Sequence, residues 1–151
     1  MTITEVNESE NGHPDVENVT TRVDVAELGE YLLGRWADIR REAREFIRNP
    51  KMQGQTGLSV AEHRARVFDQ LQLLADHGVV HRAFPFDVGG FEDHGGHLAA
   101  FEELVAADPS MQIKAGVQWG LFGSAIQHLG TTEHHLTWLP DALSLKLPGI
   151  Y

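Results

Sequence analysis

The most strongly patterned stretch of the chain runs from Asp108 to Gly130. Met111, Ala115, Trp119, Phe122, Ile126 and Leu129 recur at the spacing of one helical stripe, and Ile113, Val117 and Leu121 form a second apolar side. Little more than Lys114 and Gln118 is left as a polar strip, and a helix apolar nearly all round is a buried one. Asp108 as N-cap and Pro109 at the first helical position open this helix, and Gly130 closes it. Gly116, Gly120 and Gly123 fall within a narrow arc, followed by Ser124. Each interior glycine costs about 0.8–1 kcal/mol relative to alanine. Their clustering therefore predicts that a second helix or a ligand approaches the backbone closely there, with tight helix packing alone as the plainer account.

The other elements read as packing around this helix. A first helix is expected from Asp24 to Arg48, opened by the capping pattern Asp24…Glu27 and closed by Asn49-Pro50. Its apolar face is Leu28, Leu32, Trp36, Ile39, Ala43 and Phe46. Arg40, Arg41, Arg44 and Arg48 interleave with Asp38, Glu42 and Glu45, which points to a solvated, ion-paired face rather than a phosphate site. Ser59…Glu62 is a second capping pattern. It starts a helix with Val67, Phe68, Leu71 and Leu74 that stops at Gly78. The connector from Arg82 to Gly96 carries Phe84, Phe86 and Phe91 with Gly89, Gly90, Gly95 and Gly96. That composition predicts a shaped loop, either buried or lining a pocket. A short helix from Leu98 to Ala107 should turn Leu98, Phe101, Leu104 and Val105 inward and Glu102 and Glu103 outward. A last helix should begin at Thr131, carry Leu136, Trp138 and Leu139, and be interrupted by Pro140. No strand is predicted, although Val79-Val80 is briefly β-like. The fold class is all-α, with about five helices round a buried central helix at residues 109–129.

Composition narrows the chemistry. The 151 residues are 42% hydrophobic and contain no cysteine, so there is one domain with a real core and neither a disulfide nor a thiolate site. The net charge of −10 argues against nucleic acid or an anionic membrane as partner. Glu5, Glu8, Glu10, Asp15 and Glu17 precede any Lys or Arg, and residues 1–21 are expected to be a disordered acidic tail ahead of a helical domain at 22–151. No apolar run approaches the ~20 residues needed to span a bilayer, and no targeting segment is recognisable, so a cytoplasmic location is expected. Asp93-His94…His97 and His134-His135 invite a metal reading. Adjacent helical residues diverge by about 100°, however, and HExxH is missing, so no metal is expected. No nucleophile elbow and no phosphate-binding glycine loop is present.

Certain segments carry a resemblance. They are Gly89-Gly90-Phe91, Phe101-Glu102 with Leu104, Asp108-Pro109-Ser110, the run Lys114 with Gly116 to Ile126, Leu129-Gly130-Thr131 and Leu139-Pro140. Together they resemble the N-terminal helical domain of acyl-CoA oxidases, within the acyl-CoA dehydrogenase superfamily. The resemblance spans roughly residues 24–151 and is sharpest in the central helix and its successor. In that family a small β domain and a C-terminal helical bundle follow. A glutamate of the bundle takes the α proton of a fatty acyl-CoA while the flavin of FAD takes the β hydride.

Pro148-Gly149 resembles the entry to the β domain, so the flavin segment and the catalytic base are not expected among these residues. The resemblance implies a share of the acyl pocket, with Gly116, Trp119, Gly120, Gly123, Gly89 and Gly90 as candidate wall residues, and Trp119 and Phe122 are either pocket wall or core, with core favoured. No catalytic or cofactor-binding residue is expected in this segment. Taken alone, the chain is expected to be inactive and to hold no flavin. Fatty acyl-CoA is the partner of the complete enzyme, and the missing domains or a homo-oligomer would cover the surface around Trp119, Phe122 and Phe84-Pro85-Phe86. The competing expectation is a non-enzymatic helical module that binds a protein through that apolar face.

Overall fold

A computed structural model describes residues 23–150, and the expected acidic tail at 1–21 lies outside them. Among the described residues seven α-helices follow in order: α1 Val25–Leu33, α2 Ala37–Ile47, α3 Val60–His77, α4 His94–Glu103, α5 Pro109–Ala115, α6 Ser124–Leu129 and α7 Thr132–Leu143. A π-helical segment, Gly116–Gly123, joins α5 to α6 without a break, so these three form the central helix. Among the described residues there is no strand, and Val79–Ala83 is a 3-10 turn. The architecture is all-α, as the pattern predicts.

The helix ends follow the expected capping chemistry. Asp24 accepts from the Ala26 and Glu27 backbone N–H groups. Ser59 and Glu62 form a reciprocal box, and Asp108 accepts from Ser110 N–H ahead of Pro109. Thr131 caps α7, with His134 Nδ1 accepting from the Thr131 N–H in place of a carboxylate. These bonds satisfy donors that a helix start leaves unpaired.

The expected first helix is two helices. Gly34 sits at φ +65°, where a residue with a side chain is strained, and the chain bends through Gly34–Trp36 before α2 begins. Only Leu33 of α1 is buried, leaving Val25, Leu28, Tyr31 and Leu32 exposed.

Packing between α2 and α4 departs from the expected inward face of α4. Gly96, Ala99 and Ala100 are the buried positions of α4, whereas Leu98 and Val105 are exposed. Small residues let the helices approach: a Cβ on Gly95 would overlap the Trp36 ring, and one on Gly96 would overlap Asp93 and Ile39. The close approach also draws Glu103 inward to Arg40 Nη1 at 2.8 Å and Arg44 Nε at 2.8 Å, with Glu102 on Arg40 Nη2 at 2.5 Å. The arginine face of α2 is thus ion-paired, in part across helices.

These contacts make stability depend on pH. Burial works against the Glu103 carboxylate, but hydrogen bonds from Arg44 and Arg40 outweigh it and hold its pKa below the ordinary value. Burial lowers the pKa of His97, aided by the charges of His94 and Arg82, and burial lowers that of His81. In each case the unfolded chain binds the proton first. The stability these groups contribute is complete above their unfolded pKa and is lost as pH falls through the window beneath it. That window opens at about 6.5 for the histidines and about 4.3 for the glutamate. Urea midpoints are expected to fall in two limbs on acidification from pH 8, and His97→Gln should flatten the upper limb. A midpoint constant between pH 7 and pH 5 would contradict this.

The core holds Trp119, Phe84, Met52, Leu74, Leu104, Met111, Leu139 and Leu143, all fully buried or nearly so. Trp119 and Phe84 are therefore not on an exposed apolar face, as the sequence suggested, although Phe86 and Phe91 are. Phe84 is trapped because its loop closes on itself: Gly90 N–H donates to Pro85 O at 2.8 Å and Glu92 N–H to Phe84 O at 3.0 Å. In α7 the chain continues helically through Pro140, which interrupts nothing. Leu139, Ala142 and Leu143 are its buried residues, while Leu136 and Trp138 are exposed.

The central helix also shifts its register. Met111, Ala115, Trp119, Gly123 and Ile126 are buried; Phe122 is only partly so and Leu129 is 83% exposed. A π turn bonds i to i+5 and holds an extra residue, so the buried stripe advances by four here rather than by the α spacing. The Ser124 N–H donates to Trp119 O in that pattern.

Candidate functional site

Among the described residues an open groove of about 970 Å³ lies between α3, the central helix and the segment after α7. The α3 wall is Val60, His63, Arg64, Val67, Phe68 and Leu71, one face of that helix at i, i+3, i+4 spacing. The facing wall is Ser110, Ile113, Lys114, Val117 and Gln118, with the same spacing on the central helix. Leu145, Pro148, Gly149 and Ile150 make the floor. Most of this lining is apolar. Its ionisable side chains are His63, Arg64 and Lys114, with no carboxylate among them, in a chain whose net charge is −10.

Gln118 is the buried polar group of the groove, 3% exposed. Its Nε2 donates to Ala142 O and Leu147 O, each at 3.0 Å, and its Oε1 accepts from Gly149 N–H at 2.7 Å. Trp119, the next residue, donates its Nε1–H to the same Ala142 carbonyl at 3.0 Å. The π winding lets two successive residues both reach the C-terminal segment. Below them the Phe122 ring lies where a Cβ on Gly149 would have to stand.

The sequence-derived wall residues do not gather at this groove. Gly123 and Gly90 come together at Phe84: a Cβ on Gly123 would lie 3.0 Å from Phe84 Cζ, and one on Gly90 would overlap the Phe84 backbone. Gly116 faces Phe101, where a built Cβ would lie 3.4 Å from Phe101 Cζ, in close contact. Trp119 is core, and Gly89 is exposed in the turn before Gly90. Gly120 differs from the rest of its arc, being exposed with nothing within 4 Å of a built Cβ. The arc is thus close packing at two positions and open space at the third, where a methyl group would meet nothing within 4 Å among the described residues. Gly120 adjoins an apolar line, Ile113–Val117–Leu121, exposed at Ile113 and Leu121 and half-buried at Val117, that continues out of the groove.

His63, Arg64, Lys114 and Gln118 were not singled out from sequence as site residues. The signal available was the repeated Val60-His63-Arg64-Val67-Phe68-Leu71 face, too wide for the core contacts of α3 alone. The candidate metal cluster serves the backbone instead: Asp93 Oδ1 accepts from Gly96 N–H at 2.8 Å as the cap of α4. Among the described residues no three of His, Asp and Glu converge as a metal site.

Beside the engaged Gln118 amide, the polar side chains of the groove are His63, Arg64, Ser110 and Lys114, set in an otherwise apolar lining. Among the described residues no helix is long and apolar enough to cross a membrane.

Residues 37–146 match the family model described as the acyl-CoA dehydrogenase, N-terminal domain. The chain is also 31% identical over 126 residues to a protein of Arabidopsis thaliana named acyl-coenzyme A oxidase 2, peroxisomal. That alignment covers 82% of this chain and 18% of the relative, so the chain spans less than a fifth of the relative's length. No solved structure matches.

Proposed function

Because the chain belongs to the acyl-CoA dehydrogenase superfamily through its N-terminal domain, we propose that it supplies the acyl-chain wall of a flavin-dependent acyl-CoA oxidase or dehydrogenase. FAD and the proton-abstracting base belong, in this reading, to the β domain and C-terminal bundle of the complete enzyme, with which this domain assembles. The observation that carries the proposal is the apolar groove of about 970 Å³ walled by α3 and the central helix. Its line of Ile113 and Val117 runs on to Leu121 beside the open Gly120. An alkyl chain asks for this kind of surface, since each methylene buried contributes about 0.8 kcal/mol and needs no polar partner. A missing side chain at Gly120 keeps that surface low. A cytoplasmic location fits the sequence, with the peroxisome named for the plant relative as the competing address.

The test is calorimetric titration of the chain with dodecanoyl-CoA and with CoA alone. At least tenfold tighter binding of dodecanoyl-CoA is expected, weakened at least tenfold by Val117→Trp. Gly120→Leu should weaken it too while leaving folding intact. A helical glycine is about 0.8–1 kcal/mol less favourable than alanine, and a Cβ added at Gly120 meets nothing within 4 Å. Equal binding of the two ligands, or indifference to both substitutions, would overturn the reading. The second reading, a helical module for a protein partner, is favoured by α1, where Val25 and Tyr31 are each 81% exposed at a distance in sequence from the groove. Reversible self-association in sedimentation that α1 substitutions abolish, without acyl-CoA binding, would select it.

A further inference from the structure

We propose that Gln118 is a latch whose amide positions residues 142–149 and so sets the floor of the groove. A glutamine buried beside the apolar stripe of the central helix loses its water and must find partners inside. All three of its partners lie on one segment: the carbonyls of Ala142 and Leu147 and the N–H of Gly149, at 2.7 to 3.0 Å. Both amide hydrogens and the carbonyl oxygen are used at once, which fixes the segment in two directions.

The latched segment needs holding. Leu145 is in the left-handed region at φ +60°, a conformation that side chains other than glycine resist and that persists only where the surroundings over-determine it. Gln118 grips the chain on either side of Leu145, at Ala142 and at Leu147. The Leu147 N–H closes the turn on Asp141 O at 2.9 Å. Leu145, Pro148, Gly149 and Ile150 are the groove floor, and Gln118 stands in its wall next to Val117. Wall and floor are therefore tied through one side chain, and a ligand lying along Val117 would act on the floor through it. The latch stands on hydrogen-bond geometry alone; only its coupling to an acyl ligand rests on the function proposed above.

Amide hydrogen exchange on the 151-residue chain tests it. In Gln118→Leu the protection of the Leu147 and Gly149 amides is expected to fall at least tenfold while amides within α3 hold theirs. Gln118→Glu adds a readout that simple packing would not move. Ionised, the carboxylate repels the two carbonyl oxygens and frees the floor. Protonated, it donates one hydrogen bond and still accepts from Gly149 N–H. Protection factors at Gly149, corrected for intrinsic exchange and compared with wild type at each pH, should recover on acidification in Gln118→Glu only.

Unchanged Gly149 protection in Gln118→Leu, an equal loss across α3, or no recovery in Gln118→Glu would each overturn the latch. Saturating dodecanoyl-CoA should raise protection at Leu147 and Gly149 in wild type, and this rise should vanish in Gln118→Leu. Failure of dodecanoyl-CoA to bind wild type would count against the acyl groove, and the ligand-free exchange data would still decide the latch.

Discussion

Trp119→Ala is expected to cost about 3–5 kcal/mol, the range for removing a large buried aromatic side chain. Trp119 is 2% exposed at the centre of the buried stripe, and its indole N–H donates to Ala142 O at 3.0 Å. Domains of this size are stable by only about 5–15 kcal/mol, so this single change should bring the chain close to its unfolding threshold. Trp119→Phe separates the two contributions. It keeps most of the packing and gives up one hydrogen bond, whose net worth is about 0.5–1.5 kcal/mol. The Ala142 carbonyl still has the Gln118 amide as a donor, so no buried acceptor is orphaned. Urea denaturation monitored by far-UV circular dichroism measures both variants. A Trp119→Ala loss under about 1 kcal/mol would place this residue outside the core and refute the register of the central helix.

Gly90→Ala should be the next most damaging change, although it adds one methyl group. A Cβ there would overlap the carbonyl group and Cα of Phe84, which are backbone atoms and cannot rotate aside. Relief would require moving the loop that seats Phe84, a core residue 1% exposed, and breaking the Gly90–Pro85 or Glu92–Phe84 bond. Overpacking typically costs about 1–3 kcal/mol, and the rigid obstacle puts this case at about 3. The loss should appear as a lower thermal midpoint, with near-UV signals from the aromatic residues broadened before the helical signal fades. Gly120→Ala is the internal control: its methyl group meets nothing within 4 Å, and its midpoint should hold or rise. If Gly90→Ala and Gly120→Ala behaved alike, the loop would not be anchored as described.

The glycine arc of the central helix shows how far the candidate site was legible in the chain. The clustering of its glycines at 116, 120 and 123 announced a surface where backbone mattered. Which of them was filled by an aromatic ring and which was left open depended on Phe101 and Phe84, residues supplied by other elements. The groove was harder still. Its walls are faces of α3 and the central helix that are separate in sequence, and each face alone reads as ordinary amphipathic helix.

What could be read directly were local interactions. Asp24, Ser59 with Glu62, Asp108 with Pro109, and Thr131 mark helix starts because a cap is satisfied within three residues of itself. The all-α class follows from helical spacing of apolar residues, and the family from the run of residues around the central helix. Tertiary structure decided the remainder. Gly34 breaks the first helix, although a weakly placed glycine inside a helical pattern is compatible with either outcome. The small faces of Gly95, Gly96, Ala99 and Ala100 let α2 come close enough to pull Glu103 inward, against the outward reading of a charged residue. The π turn moved the buried stripe from Phe122 to Gly123 and turned Gln118 from a surface residue into the holder of the groove floor. Local rules see a residue's neighbours along the helix, whereas the winding of that helix is set by which partners its side chains can satisfy across the core.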